Sequence, residues 1–284
     1  MELLANEAFT QLHPTGHHAD RPERLRVLLD ALPGWTHVDR VAMREELERC
    51  HTSEYIDSVQ AIGEPTWLDI DTIASATTWE AATLAAGLAI AAVDAGAFAL
   101  VRPPGHHAFA DHAMGFCLFN NVAVAARHAS AALGLRRVAI VDIDVHHGNG
   151  TQALFAADPD VLYVSLHQWP FYPGTGGPGE QAENLLNVPL HAGSGDREYV
   201  AAFTGEVEPR VRRFEPELVL VSAGFDAHAD DPLADMALSR EGFGELARRC
   251  AALGPRVAAV LEGGYNVETL PSLVEAALRG FEAA

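Results

Sequence analysis

Cysteine is scarce in this chain of 284 residues, and its spacing excludes two common uses of the residue. The three cysteines, Cys50, Cys117 and Cys250, are odd in number and form no Cys-x-x-Cys pair. A disulfide framework and a cysteine-ligated zinc site are therefore not expected. Cys117 lies inside an apolar run and is predicted to be a small buried side chain.

Long apolar runs and a basic amino-terminal segment are also missing. No stretch reaches the roughly 18 consecutive apolar residues that a membrane-spanning helix needs. The first residues, Met1-Glu-Leu-Leu-Ala-Asn-Glu7, lack the basic start and the long apolar stretch of a secretory signal. We expect a soluble protein that acts in the cytoplasm and has no membrane partner.

Positive charge is under-represented. The chain has 19 Lys and Arg against 39 Asp and Glu, so its formal net charge is −20. A surface this acidic repels nucleic acid and anionic membranes, and it favours cationic partners such as a basic peptide or a polyamine. Solubility alone is an equally good explanation of the charge. No nucleic-acid partner is expected.

Apolar, strand-like runs are abundant, and they alternate with helical segments. Hydrophobic residues make up 49% of the chain, and no internal repeat or interdomain linker is present. Helices are predicted at 80–95 and 120–133, ended by Gly96 and Gly134, and at 199–214 and 239–253. Strands are predicted at 97–103, 137–143, 161–166, 185–190, 218–223 and 256–261. Continuously apolar strands are typical of a parallel sheet buried on both faces, so residues 1–284 are predicted to form one doubly wound α/β domain.

Two of these strands end in side chains that suit metal binding. Asp142, Asp144 and His146 lie at i, i+2 and i+4 where one strand ends, so they share a face. Asp226 follows the strand at 218–223. Ligands of a parallel sheet bind outside the carboxyl ends of its strands, so these side chains should meet in one crevice. The alternative is that the aspartates cap the helices that follow.

Two further groups could supply acid–base chemistry. The pair His106-His107 follows the rigid sequence Arg102-Pro-Pro-Gly105, whereas His17-His18 is interpreted as an accidental surface pair. Tyr265 follows Glu262-Gly-Gly264 after the last strand, and a plain turn is the alternative there. A metal site with paired histidines and a tyrosine hydroxyl contains the groups of a metal-dependent hydrolase.

These residues and their neighbours resemble a known family, the histone deacetylase and acetylpolyamine amidohydrolase superfamily, whose members have an arginase-like α/β fold. The resemblance covers most of the chain from residue 69 onward, and Asn149 makes it similar to the class II branch. Two segments extend it upstream, Pro22-Glu-Arg-Leu25 and Cys50-His-Thr-Ser-Glu-Tyr-Ile56. The main matching segments are Arg102-Pro-Pro-Gly-His-His-Ala108, Gly115-Phe-Cys-Leu-Phe-Asn-Asn121, Asp142-Ile-Asp-Val-His-His-Gly-Asn-Gly150, Ser165-Leu-His167, Tyr172-Pro-Gly-Thr-Gly176, Ser222-Ala-Gly-Phe-Asp226 and Leu261-Glu-Gly-Gly-Tyr-Asn266.

The resemblance implies a role for each matching residue. It implies a catalytic metal, Zn²⁺ with Fe²⁺ or Co²⁺ as alternatives, on Asp144, His146 and Asp226. The implied acid–base pair is His106 and His107, with Asp142 orienting the first and Asn149 behind the second, while Tyr265 polarises the scissile carbonyl. The implied substrate contacts are Asp71, Gly115, Phe116, Tyr172 and Leu233. A structural K⁺ ion is implied near Asp142, Asp144, His146, Ser165 and Leu166.

The implied reaction removes an acetyl or short acyl group from an amine, with acylated lysine or a related small amide favoured. Polyamine-selective relatives carry a Glu shortly after the metal-binding Asp, where this chain has Leu233. A leucine cannot pair with an ammonium group, although Asp230, Asp231 and the net charge could attract one. The alternatives are an acetylpolyamine amidohydrolase, an arginase-like manganese enzyme and a non-catalytic acyl-ligand-binding module.

Two departures from the family pattern bear on the predicted substrate tunnel. Tyr172 stands where many relatives have Phe, which adds a hydroxyl to the tunnel wall. The segment 93–101 looks shorter than usual. The loops near it are therefore expected to differ from those of relatives.

Overall fold

A computed structural model describes all 284 residues of the chain. The β-strands are β1 Leu3–Ala5, β2 Thr36–His37, β3 Thr66–Trp67, β4 Ile73–Ala74, β5 Phe98–Ala99, β6 Val138–Asp142, β7 Val161–Gln168, β8 Leu185–Leu190, β9 Leu218–Ala223 and β10 Val257–Leu261. The α-helices are α1 Glu23–Ala31, α2 Arg44–Leu47, α3 Ser53–Gln60, α4 Thr78–Ala95, α5 Asn121–Leu133, α6 Asn149–Phe155, α7 Asp196–Ala202, α8 Glu208–Phe214, α9 Arg240–Ala251 and α10 Leu270–Glu282. A 3₁₀ turn covers Glu7–Thr10, and a π-helical turn covers Phe203–Val207.

Eight of the strands form one parallel sheet in the order β2-β1-β5-β10-β9-β6-β7-β8. Every residue of β6, β7 and β9 is buried, so helices must cover both faces of the sheet. The helices α4 and α5 pack together as one group, and α9 and α10 pack together as another. The predicted α/β class with a mainly parallel, doubly wound sheet is confirmed. The strands β3 and β4 form a separate antiparallel hairpin.

The helix ends follow the local sequence rules. Gly96 and Gly134 end α4 and α5 in the left-handed conformation, with φ of 66° and 68°, which glycine adopts without steric cost. Asn120 begins α5 by accepting the N–H of Ala123, and Ser239 begins α9 by accepting the N–H of Gly242. These caps fix the ends of the helices that lead into and out of the sheet.

Two predicted elements were partly wrong. The strand predicted at 97–103 is only Phe98–Ala99, and Pro103 and Pro104, which have no N–H to donate, could not have extended it. The buried segment after it is irregular and carries His106-His107. The helix predicted at 199–214 starts earlier, at Asp196, and is interrupted by the π-helical turn.

None of the helices combines the length and the apolarity that crossing a bilayer requires. All three cysteines are free and buried, and Cys117 is fully inaccessible, as expected for a small buried side chain.

Candidate metal and acid–base site

The side chains of the site reach one edge of the sheet from three adjacent strands. Asp142 is the last residue of β6, and Asp144 and His146 follow it. Asp226 follows β9, and Tyr265 follows β10. Because β10, β9 and β6 are neighbours and parallel, their carboxyl ends place these residues together.

The ligand atoms of Asp144, His146 and Asp226 all lie within 4.8 Å of one another, and all three residues are buried. His146 Nδ1 is 3.1 Å from Asp144 Oδ1 and 3.1 Å from Asp226 Oδ2. The remaining oxygens are held by backbone donors: Gly263 N–H donates to Asp144 Oδ2 (2.8 Å), and Val145 N–H donates to Asp226 Oδ1 (2.9 Å). The three side chains are thus fixed with one imidazole nitrogen facing both carboxylates.

The charge of this triad suits a cation. No arginine side chain hydrogen-bonds to Asp144 or Asp226, and the chain has no lysine. Burial, reinforced by the charge of Asp144, raises the pKa of Asp226 to about 7. Burial opposes a charge on His146, yet its hydrogen bonds to both carboxylates outweigh that effect and raise its pKa to about 10. Two buried carboxylates and one imidazole that attract positive charge this strongly are a donor set for a divalent metal.

Two glycines leave the space that the triad occupies. A Cβ atom on Gly224 would overlap the Asp144 carboxylate, and one on Gly263 would overlap the Asp226 carboxylate. The glycines in Ser222-Ala-Gly-Phe-Asp226 and Glu262-Gly-Gly264 therefore permit a close approach of backbone to carboxylate.

His106 is the charged member of the histidine pair. Its Nδ1 donates to Asp142 Oδ2 (3.0 Å), and its Nε2 lies 3.8 Å from Asp144 Oδ1. Burial would lower the pKa of His106, but the charges of Asp144 and Asp142 overcome it and raise the pKa to about 10. Asp142 Oδ2 also accepts the Tyr163 hydroxyl (3.0 Å), which fixes the carboxylate.

His107 is the neutral member. Its Nδ1 lies 2.7 Å from Asn149 Oδ1, and the Asn149 amide donates in turn to Met114 Sδ (3.3 Å). An amide oxygen can only accept, so Nδ1 carries the proton and Nε2 keeps its lone pair. Burial and the charges of His106 and His146 hold the pKa of His107 well below its usual range.

Tyr265 stands at the edge of the site. Its backbone N–H donates to Asp231 Oδ2 (2.7 Å), its ring meets Phe116 edge to face (5.6 Å), and the Arg24 guanidinium lies 4.8 Å from its centroid. Burial holds the pKa of Tyr265 well above its usual range, although Arg24 opposes the shift. The hydroxyl therefore stays protonated and can donate a hydrogen bond.

A cavity of about 190 Å³ opens onto the site. All five residues that the sequence predicts to contact substrate line it, together with His107, His146, Tyr265 and Phe171. Tyr172 packs edge to face on His107 (5.3 Å), and Phe171 stacks on His146 (5.5 Å). The Tyr172 hydroxyl is buried and has no hydrogen-bond partner. Phe171 therefore belongs to the cavity wall, although only its neighbour Tyr172 was predicted from the sequence.

The rim of the cavity includes the hairpin of β3 and β4. Asp71 lies in its turn, next to Ile70, which is 91% exposed. Thr72 Oγ1 accepts the N–H of Phe116 (3.0 Å), which ties the hairpin to the cavity wall. His18 also packs edge to face on Phe116 (4.5 Å) and lies 3.0 Å from the Asp71 carbonyl through its Nε2. The interpretation of His17-His18 as an accidental surface pair was therefore wrong for His18.

Of the residues predicted to surround K⁺, Asp142 ends β6, Asp144 and His146 follow it, and Ser165 and Leu166 lie within β7. Ser165 pairs with Asp142 in the sheet register, and Leu166 follows it. Both are fully buried. The Ser165 hydroxyl lies 2.9 Å from His167 Nδ1.

Three buried residues near the site were missed. Tyr163 lies two residues before Ser165 on β7, on the same face, so the two-residue alternation of a strand could have indicated it. Glu262 and Arg24 lie in segments that resemble the family, but no periodic pattern around them indicates that they are fully buried. Arg24 is neutralised by Asp20 (2.8 Å) and donates to the carbonyls of Glu262 and Gly264.

Gly115 should not tolerate a side chain. It has φ of 56°, and a Cβ atom there would overlap the His107 ring. We expect Gly115→Ala to displace His107 and to lower kcat by about 100-fold, as a misplacement on the order of 1 Å can. Steady-state kinetics measures this, with Gly63→Ala as control, because Gly63 has open space around it. Normal kcat in Gly115→Ala would contradict the tight packing described.

Comparison with known proteins identifies the family of the chain. A histone deacetylase domain matches residues 18–281. A histone deacetylase-like amidohydrolase of Pseudomonas aeruginosa is 42% identical over 89% of this chain and 74% of its own length. The polyamine deacetylase HDAC10 of Homo sapiens is 41% identical over 90% of this chain, which spans 43% of that protein.

A solved structure and relatives of greater length complete the comparison. The crystal structure of the HDA15 HD domain matches with a TM-score of 0.92 and 38% identity, over 99% of this chain and 91% of that one. The chain spans about half the length of the plant histone deacetylases that it also matches. By the extent of the domain match and by these identities, the chain belongs to the histone deacetylase family.

Proposed function

We propose that residues 1–284 form one catalytic domain that hydrolyses an acyl amide, releasing an acetyl or other short acyl group from an amine. The observation that carries the proposal is the convergence of three elements at one cavity. These are the triad of Asp144, His146 and Asp226, the pair His106-His107, and Tyr265. Together they provide the groups that metal-assisted amide hydrolysis requires.

The metal would be held by Asp144, His146 and Asp226. Two carboxylates and an imidazole accept Zn²⁺, Fe²⁺ or Co²⁺, and we propose Zn²⁺ as the resident ion. Such an ion, when bound, lowers the pKa of a water molecule and polarises a carbonyl oxygen. We also propose K⁺ as a structural ion near Asp142, Asp144, His146, Ser165 and Leu166. Asp142 at the end of β6 is the sheet neighbour of Ser165 on β7.

The two histidines are suited to opposite halves of the proton transfer. His107 is neutral with a free Nε2, so it would accept the proton of the attacking water. The same histidine or His106, which Asp142 and Asp144 keep protonated, would return a proton to the leaving amine. Asp142 supports the charged form of His106, and Asn149 fixes the tautomer of His107.

Tyr265 would stabilise the charge that develops on the carbonyl oxygen. Its raised pKa keeps the hydroxyl protonated, so that it can donate to the oxyanion. Phe116 and Tyr172 are proposed to flank the acyl-bearing chain, with Gly115 beside them and Asp71 at the mouth.

We propose acylated lysine or a related small amide as the substrate. The net charge of −20 and Asp71 at the rim favour a cationic substrate and disfavour nucleic acid. The exposed Ile70 and Trp67 (91% and 58%) add apolar surface beside Asp71, which suits the body of a peptide. We also propose a cytoplasmic location for the protein.

Leu233 is the position that should distinguish lysine from polyamine substrates. It lines the cavity, and an apolar side chain there gives a remote ammonium group no partner. We expect Leu233→Glu to raise kcat/KM for N-acetylated spermidine and putrescine relative to an acetyl-lysine peptide. Leu233→Gln is the control, because it adds a polar group of similar size without the charge. A wild-type preference for the polyamines would contradict the substrate proposal and favour acetylpolyamine hydrolysis instead.

A deacylation screen tests the function itself. Purified protein loaded with Zn²⁺, Fe²⁺ or Co²⁺ is assayed against acyl-lysine peptides, acetylpolyamines and small acetylated metabolites, and its metal content is measured. Because the chain has no lysine, all acetyl-lysine in the assay comes from the substrate. Binding without turnover in every metal form would indicate a non-catalytic acyl-ligand-binding module. Hydrolysis of guanidino substrates by a manganese form would indicate an arginase-like enzyme.

A further inference from the structure

A buried carboxylate lies beneath the loop that carries the histidine pair. Glu262 is fully buried where β10 ends. Its Oε2 accepts the N–H groups of Gly105 (2.6 Å) and His106 (3.2 Å), and its Oε1 accepts the Ser222 hydroxyl (3.3 Å). One side chain thus joins the carboxyl ends of β9 and β10 to the histidine loop.

The histidine loop has few other attachments through its N–H groups. Pro103 and Pro104 have none to offer, so Gly105 and His106 carry the first amides after the prolines. Both of these amides bond to Glu262. The next one, His107 N–H, meets only the Cys117 sulfur at 3.5 Å, which is a weak acceptor. On its N–H side the loop is therefore held to β10 by Glu262, while the His106 carbonyl accepts the Thr151 N–H (3.1 Å) on the other side.

We propose that Glu262 is a positioning residue for the histidine pair, an assignment that rests on the proposed function. By accepting two successive amides it fixes the backbone of His106, and so the distance from both imidazoles to the triad. The carboxylate does not line the cavity and takes no part in proton transfer. Its contribution is to the geometry of the loop, because catalysis is sensitive to errors on the order of 1 Å.

Two variants separate an acceptor role from a packing role. Glu262→Gln keeps one oxygen for the two amides and offers an NH₂ group to Ser222 Oγ, so it should retain most of the wild-type kcat. Glu262→Leu has similar bulk but no acceptor, so it should lower kcat by about 100-fold while KM and zinc content change little. Glu217→Leu is the matched control. Glu217 Oε2 also accepts two successive amides, those of Arg136 (2.8 Å) and Arg137 (3.1 Å), but it is only partly buried and lies outside the cavity.

Amide hydrogen exchange of the zinc-loaded full chain gives a readout that does not need activity. Peptides covering residues 102–108 should exchange faster in Glu262→Leu than in the wild type and in Glu262→Gln, while peptides from β6 and β9 stay protected. Unchanged exchange of residues 102–108 in folded Glu262→Leu would overturn the proposal, as would a kcat close to wild type. If Glu262→Leu does not fold, a Glu262→Gln enzyme with a kcat as low as that of Gly115→Ala would overturn it. An inactive wild type would refute the proposed function, and the exchange experiment would still decide the role of Glu262.

Discussion

Tyr265→Phe should lower kcat by about 100- to 1000-fold on an unactivated acetyl-lysine amide. The hydroxyl is expected to stabilise only the charge that forms in the transition state, so KM should change much less than kcat. The ring keeps its contacts with Phe116 and Arg24, which do not involve the oxygen. Zinc content and thermal stability should therefore match those of the wild type.

The control for Tyr265→Phe is Tyr199→Phe, which removes a tyrosine hydroxyl outside the cavity. The Tyr199 hydroxyl is buried without a hydrogen-bond partner, and Tyr199 does not line the cavity. Tyr199→Phe should leave kcat unchanged and should not destabilise the protein, because it removes an unpaired buried polar group. A near-normal kcat in Tyr265→Phe would refute the oxyanion role, and an equal loss in both variants would indicate a general effect on packing.

Asp226→Ala should abolish both metal binding and activity. It removes one of two buried carboxylates, and His146 Nδ1 then faces Asp144 alone. Mutation of a group that only hydrogen-bonds to a metal ligand typically lowers the affinity for the metal by about 10- to 100-fold, so loss of the ligand itself should lower it more. Metal analysis after dialysis should find about one zinc per chain in the wild type and very little in the variant.

Asp196→Ala is the control for Asp226→Ala. Asp196 accepts hydrogen bonds from the backbone N–H and the hydroxyl of Ser239, and neither contact involves a residue of the triad. Its loss should lower stability, since it holds α7 against the start of α9, and should leave zinc content unchanged. Full retention of zinc by folded Asp226→Ala would show that the metal site has been assigned to the wrong residues.

The central strands could be predicted because each is encoded by a continuous run of apolar residues in its own sequence. The predicted bounds of the strands at 185–190 and 218–223 agree with β8 and β9, and that at 137–143 is within a residue of β6 at each end. Continuous apolar runs of this length have few alternatives. In contrast, β1 and β2 have three and two residues, too few to produce a pattern.

Some residues of the candidate site could likewise be predicted from the sequence, and others could not. Asp144, His146 and Asp226 could be placed together from sequence because parallel strands deliver their carboxyl ends to one edge. The burial of Arg24 could not, because it depends on Asp20 and on carbonyls some 240 residues away in the chain. The contacts of Glu262 could not be predicted either, because two of its partners, Gly105 and His106, belong to an irregular loop. Longer-range hydrogen bonds of this kind leave no periodic trace in the sequence.

The strand order also constrains when the protein can fold. The last strand to be synthesised, β10, lies inside the sheet between β5 and β9. Until residues 257–261 leave the ribosome, β5 and β9 each present an unpaired apolar edge, which is a template for aggregation. Gly263, which holds Asp144, emerges later still. The nascent chain therefore lacks its complete native sheet for most of its synthesis. More than half of the chain is synthesised between β5 and its partner β10. Chaperones that bind unfolded chains would have the longest time to act on the open edge of β5.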